Sequence, residues 1–137
     1  DGKFFLEIKK LASSMPQKVV FTGFMSYDKI PAILHFCDLA VVPSIWEEPL
    51  SLTSLEDMAA GLPLIVTRSG GIPEVVDEYS AIIVDNDSSL PSSLSSAILS
   101  IYSDSDRRLK MSECALKRSV LFSKEKYALS FFEFLEK

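Results

Sequence analysis

Glu47-Glu48-Pro49-Leu50-Ser51-Leu52-Thr53-Ser54-Leu55-Glu56-Asp57-Met58-Ala59-Ala60-Gly61-Leu62-Pro63 is the stretch that decides the fold of this 137-residue chain. Before it, Leu39-Ala40-Val41-Val42-Pro43 reads as a short apolar strand, and after it Leu64-Ile65-Val66-Thr67 reads as another. The spacing between them predicts a helix from Thr53 to Ala60, stopped by Gly61 and Pro63. Strand, turn, helix and strand make the repeat of an open parallel sheet. In such sheets a helix N-terminus beyond the carboxyl end of a strand receives phosphate-bearing ligands. Glu48 falls in the approach loop and Glu56 about one turn into the helix. Both carboxylates can therefore meet hydroxyl groups attached to a phosphate held there.

The flanks extend the same pattern. Phe4 to Ala12 alternates apolar and charged residues at helical spacing, and Val19-Val20-Phe21, bounded by Gly23, predicts a short buried strand. Tyr27 to Phe36 returns to helical periodicity, with Pro31 in the first turn where its missing N–H does no harm. Ala81-Ile82-Ile83-Val84 completes a set of four strands. All four are short and nearly unbroken in apolar character, as parallel strands covered on both faces should be. Leu90 to Tyr102, Asp106 to about Leu121, and Lys124 to Leu135 predict three helices, the first keeping its periodicity through a serine-rich run. The expected architecture is α/β, a doubly wound Rossmann-like parallel sheet with additional C-terminal helices, in one domain over residues 1–137.

Composition narrows the function. With 47% hydrophobic and 24% charged residues, the chain can bury a core and is not disordered. A formal charge of −5 argues against a nucleic-acid surface and against docking on anionic lipid. Cys37 and Cys114 stand far apart with no CxxC spacing, so they read as reduced, half-buried thiols. His35 has no partner at catalytic or ligand spacing and reads as a partly buried helix histidine. No metal-ligand cluster is visible. Neither a signal-peptide pattern nor an apolar run of about 20 residues occurs, so the expectation is a soluble, cytoplasmic domain making no membrane contact.

The run Pro43-Ser44 … Glu48-Pro49-Leu50-Ser51-Leu52 … Leu55-Glu56 … Met58-Ala59-Ala60-Gly61-Leu62-Pro63, followed by Gly70-Gly71-Ile72-Pro73-Glu74-Val75-Val76, resembles the donor-binding half of glycosyltransferase family 4. The mark of that family is a Glu, seven residues and a second Glu, which Glu48 and Glu56 reproduce. The resemblance runs from about Val19 to the C-terminus, through Phe21-Thr22-Gly23 and Cys37-Asp38-Leu39-Ala40. It implies the C-terminal half of a GT-B fold and a hexosyltransferase that retains anomeric configuration. The donor would be a nucleotide sugar, a UDP- or GDP-sugar, used without a metal or other cofactor in building a polysaccharide, glycolipid or glycoprotein glycan. By the resemblance, Glu48 is the catalytic candidate and contacts hydroxyls of the transferred sugar, helped by the backbone at Leu50 and Ser51. Glu56 would accept hydrogen bonds from the ribose. The backbone N–H groups of Leu52 and Thr53, opening the helix, are the natural donors to the diphosphate. A saccharide or lipid-linked acceptor would be held by a separate N-terminal domain.

The chain departs from the family in two ways. Ser51 stands where the family usually has Gly, and Leu50 where Phe is common. The chain also enters one strand–helix–strand late, so the Gly-Arg and Lys positions that hold the donor diphosphate, like the acceptor domain, are expected outside these 137 residues. An excised donor domain is the expectation. A non-catalytic nucleotide-binding or interaction module is the alternative for the chain alone. A nucleotide-sugar epimerase or receiver-like domain shares the fold class but leaves the Gly-Gly-x-Pro-Glu loop unexplained.

Several residues admit a plainer role. Thr53-x-x-Glu56 is also a capping box, in which Glu56 folds back on its own helix start. Gly70-Gly71 could admit a ligand to the backbone or simply make a turn. Arg68 could meet a phosphate or pair with Asp77, Glu78 or another acid. Phe24 and Met25 follow the first apolar run, where a nucleobase packs in the family, but such residues equally serve as core cover. Tyr127, Phe131, Phe132, Phe134 and Leu135 form a broad apolar set that packing on the sheet would mostly explain; in the family that helix can cross back toward the other domain, which would leave part of this surface exposed here.

Overall fold

A computed structural model describes residues 2–16 and 18–136. They fall into two compact units, one ending at Ala32 and the other beginning at Ile33. In the first unit, α1 spans Phe5–Ser13 and buries none of its residues. The Phe5 ring meets Phe21 edge-on at 5.9 Å and lies 5.0 Å from the Lys9 ammonium. Val19, Val20 and Phe21 do not form the predicted strand, and Val20 is 67% exposed. A strand is a property of a pair: three apolar residues acquire strand geometry only against a neighbour that takes their N–H and C=O groups. A short 3-10 turn, Tyr27–Lys29, leads into α2, Ile30–Leu34.

The second unit is built on three parallel strands in the order β1-β2-β3: Ala40–Val42, Leu64–Thr67 and Ala81–Val84. Leu64 is registered with Ala40 on one side and Ala81 on the other. The helices are α3 (Leu52–Ala59), α4 (Ile72–Val75), α5 (Leu90–Tyr102), α6 (Ser105–Ser119) and α7 (Lys124–Leu135). Successive side chains of a strand point to opposite faces, and two cores follow from that alternation. Leu64, Val66 and Ala81 pack with Met58 of α3, Ile72 and Val75 of α4, and Ala115 of α6. Ile65 and Val84 pack with Ala97 and Ile101 of α5 and Met111 of α6. Each fully buried Leu, Ile or Met contributes about 1.5–3 kcal/mol, so the four-residue β2, buried along its whole length, anchors the unit. The sheet is Rossmann-like, with helices on both faces.

Two polar anchors fix α6. The Ser112 hydroxyl donates to the Gly61 carbonyl at 2.6 Å. The Arg118 guanidinium donates to the Val75 and Glu74 carbonyls at 2.5 and 3.0 Å and pairs with Asp77 at 3.1 Å. Helix α7 departs from expectation, because it buries none of its residues and leaves Tyr127, Phe132, Phe134 and Leu135 mostly exposed. The cores on the two faces of the sheet are built with residues of α3 to α6, and α7 contributes none to either. His35 is likewise exposed and lies just past α2, and Cys37 is exposed. With the helix ending at Leu34, both residues fall on the turn after it rather than on a buried face. Cys114 is half-buried, as expected.

Candidate functional site

β1 delivers the chain to the carboxyl edge of the sheet at Val42, and residues 43–51 must cross that edge before α3 begins. A loop over a sheet edge carries carbonyls that the strand ladder no longer satisfies, so partners must come from elsewhere. Here they come from the ends of the other two strands. Thr67, the last residue of β2, donates its hydroxyl to the Ser44 carbonyl at 2.5 Å. Ser69 donates to the same carbonyl at 2.8 Å. Asn86, just past β3, donates its amide to the Ile45 carbonyl and to the Ser69 hydroxyl, both at 3.2 Å. Thr67 and Ser69 are buried.

Glu48 sits in this loop, half-buried, and one oxygen of its carboxylate accepts the Ser44 hydroxyl. Its backbone carbonyl accepts the Gly71 N–H at 2.7 Å. This contact explains the two glycines. Gly70 has φ +54, and a Cβ there would lie 2.5 Å from the Glu48 nitrogen, while one on Gly71 would run into the Pro49 carbonyl. Of the two readings open from sequence, the turn prevails, with a specific purpose: it lets the Glu48 loop lie against the backbone after β2.

Ser51 is fully buried and is the N-cap of α3, its hydroxyl accepting from the Ser54 N–H at 3.3 Å. The Ser51 and Ser54 hydroxyls also share a hydrogen bond of 2.8 Å. The helix therefore begins at Leu52, one residue earlier than predicted, and Thr53 lies inside it rather than capping it. The plainer alternative, a capping box of Thr53 and Glu56, does not form, because Ser51 caps the helix instead. Ser51 adopts φ −84 and ψ 93, an extended conformation open to any residue, so serine in a position where glycine is usual causes no backbone strain. The N–H groups of Leu52 and Thr53 are the first two of the helix and have no acceptor within it. Leu50 and Leu52 present exposed side chains that line, with Leu55, Leu121, Phe122 and Tyr127, a groove of about 400 Å³.

Glu56 is half-buried in the second turn of α3. Beside it Asp57 is 5% exposed, and burial, reinforced by the Glu56 charge, pushes its carboxyl from an ordinary 3.8 up to about 6. Arg68 pairs with Asp85 at 2.8 Å on the surface, the plainer of its two expected roles, with Asp85 in place of Asp77 or Glu78. Phe24 is fully exposed, which removes its reading as core cover. Among the described residues no group of three or more His, Cys, Asp or Glu side chains is placed to hold a metal ion. No helix among them is long and apolar enough to cross a membrane.

Sequence reasoning gave no site role to Ser44, Thr67, Ser69 or Asn86, although Ser44 stands in the quoted motif and Thr67 closes a predicted strand. Their only signal is a small polar residue within three positions of an apolar strand's end, which many turns share.

Comparison with known proteins extends the picture. A family model described as glycosyl transferases group 1 matches residues 1–118. YtcC of Bacillus subtilis (strain 168), which bears a glycosyltransferase name, is 35% identical over 118 residues, covering 85% of this chain and 29% of its own length. Among solved structures, sucrose-phosphate synthase from Thermosynechococcus elongatus superposes with a TM-score of 0.81 at 25% identity, over 96% of this chain and 33% of that one. The C-terminal domain of a glycosyl transferase group 1 family protein, LpcC, from Francisella tularensis gives a TM-score of 0.70 at 28% identity, over 88% and 60%. The chain thus spans less than a third of YtcC.

Proposed function

The chain belongs to the glycosyl transferases group 1 family, and from that premise we propose that it is the donor-binding part of a retaining glycosyltransferase. In this reading a nucleotide sugar, a UDP- or GDP-sugar, lies across the carboxyl edge of the sheet. Its diphosphate meets the open N–H groups of Leu52 and Thr53. A helix N-terminus contributes about 0.3–1 kcal/mol to a nearby negative charge, and up to about 2 where the site is partly buried. Those amides need no reorganisation as the diphosphate departs, which is the condition for stabilising a transition state rather than a ground state. Glu48 accepts hydroxyls of the transferred sugar, with the backbone of Leu50 and Ser51 beside it, and its charge opposes the positive charge that grows on the ring. Glu56 accepts the ribose hydroxyls. No metal is needed for this division of labour.

The observation that carries the proposal is the arrangement around α3. One half-buried carboxylate is fixed in the loop before the helix, and a second stands inside its second turn. A solvated acidic loop would have no reason to hold Glu48 from both its side chain and its backbone. The acceptor, a saccharide or a lipid-linked saccharide, is assigned to parts of the protein beyond these residues, and transfer is proposed for the protein that contains them. The 137 residues alone are expected to bind donor without turning it over.

The test is Glu48→Ala in the intact transferase. One charge-assisted hydrogen bond is worth roughly 1.5–3 kcal/mol, so a loss of about ten- to a hundred-fold in kcat is the minimum expected. Wild-type turnover would end the assignment.

A further inference from the structure

We propose that Ser44 is a positioning residue for Glu48, and that Thr67, Ser69 and Asn86 make it one by pinning the chain it stands on. The inference rests on the reading of Glu48 as the sugar-side carboxylate and adds to it the device that aims that carboxylate. Ser44 donates to one oxygen of the Glu48 carboxylate. Among the described residues the second oxygen has no hydrogen-bond partner, which leaves it to a ligand hydroxyl. A glutamate has three side-chain torsions to fix as it meets the charge that develops on the sugar ring, and one already held by a neighbour has fewer of them left to lose in that transition state.

The donor itself is held more firmly than satisfaction of its backbone requires. A buried carbonyl needs one partner to avoid a desolvation penalty. The Ser44 carbonyl takes two, the buried hydroxyls of Thr67 at 2.5 Å and Ser69 at 2.8 Å. The following carbonyl, of Ile45, takes the Asn86 amide at 3.2 Å, and the same amide reaches Ser69. On the far side of Glu48 the Gly71 N–H fixes its carbonyl at 2.7 Å. Residues 44 and 48 are thus each tied down through the backbone, and the Ser44 to Glu48 hydrogen bond closes the loop between two fixed points. A ring of this kind selects one side-chain orientation, which loop solubility alone would not require.

The experiment is a double-mutant cycle in the intact transferase, with donor saturation curves and melting temperatures for each protein. Ser44→Ala is expected to lower kcat about ten-fold, the effect of losing one hydrogen bond to a charged group, with donor KM moving less than about two-fold and the melting temperature nearly unchanged. Ser44→Thr, which keeps the hydroxyl, is expected to recover most of the activity. Ser44→Cys, which keeps the volume and weakens the donor, should fall between wild type and alanine and serves where the alanine variant folds poorly. In a Glu48→Ala background, Ser44→Ala should cost nothing further. An equal loss in both backgrounds would make Ser44 a structural residue and overturn the inference. An impaired Glu48→Ala beside an unimpaired Ser44→Ala overturns it as well, while leaving the role of Glu48 intact. Wild-type turnover in Glu48→Ala removes the role of Glu48, and this inference with it.

Discussion

Replacing Asp57 by Asn should make the protein more stable at neutral pH. The carboxyl is 5% exposed in α3, and no hydrogen-bond donor among the described residues reaches it. Desolvation, with repulsion from Glu56 second, raises it from an ordinary 3.8 to about 6. The folded protein therefore binds a proton more tightly than the unfolded chain does, and stability falls as pH rises through this window. The full contribution is present below about pH 4 and is gone above about pH 6. At ~1.36 kcal/mol for each pH unit, the displacement corresponds to roughly 3 kcal/mol lost at pH 7. Asn removes that charge at nearly constant volume, but a buried amide carries its own unmet hydrogen bonds, so a net gain of about 1–2 kcal/mol is expected. Urea denaturation followed by far-ultraviolet circular dichroism, from pH 4 to pH 8, measures it. Comparing the variant with wild type cancels the other carboxylates. The difference should be near zero or unfavourable at pH 4 and favourable at pH 7.5. A difference of the same size at both pH values, or a variant weaker than wild type at pH 7.5, would refute the argument. Glu56→Gln should move the transition downward in pH by removing the smaller of the two causes.

Gly70→Ala places a methyl group 2.5 Å from the Glu48 nitrogen at a φ of +54, so the loop must move. A stability loss of about 1–3 kcal/mol is expected, with donor turnover falling further than that loss explains; unchanged turnover would separate Gly70 from Glu48. Arg118→Ala removes the donors to the Val75 and Glu74 carbonyls and the partner of Asp77, and thermal melts should show a cost of about 1–2 kcal/mol, since the pair is only partly buried. Asp77 is pushed up by burial, but the Ser80 hydroxyl and amide, then Arg118 and the Tyr79 amide, hold it below the ordinary carboxylate range. Its contribution is therefore present above about pH 4 and is lost as pH falls further, and the variant should show a shallower acid limb.

The elements that sequence located best are those whose signal is local. Leu90–Tyr102 and Lys124–Leu135 carry their own periodicity, and Ala81–Val84 lies between two acidic turns, so their bounds needed no knowledge of neighbours. Val19–Phe21 has the composition of a strand but no ladder, which composition does not report. The start of α3 falls one residue before the predicted Thr53, because what sets it is burial, which composition does not report: with Ser51 and Ser54 both 0% exposed, their hydroxyls bond each other and the Ser54 N–H. The four-residue α4 escaped notice because a Pro after a Gly pair reads as a turn.

The support for Glu48 was out of reach for a different reason. Val42, Val66 and Ile83 stand side by side in the parallel ladder. Every residue a few positions beyond each of them is consequently delivered to the same edge. Ser44 lies two residues past Val42, Thr67 and Ser69 one and three past Val66, and Asn86 three past Ile83. Separations of 17 to 41 residues along the chain become hydrogen bonds of 2.5 to 3.2 Å once the register is set. A shift of one residue in either pairing would turn the alternating core residues to the wrong faces and would also break this network. The burial of Ile65 and Val66 on opposite faces and the hydrogen bonds that hold the Glu48 loop therefore depend on the same register. A core substitution in β2 that slips the strand should therefore lower the melting temperature and donor turnover together, and a variant that loses one while keeping the other would separate the core from the Glu48 loop.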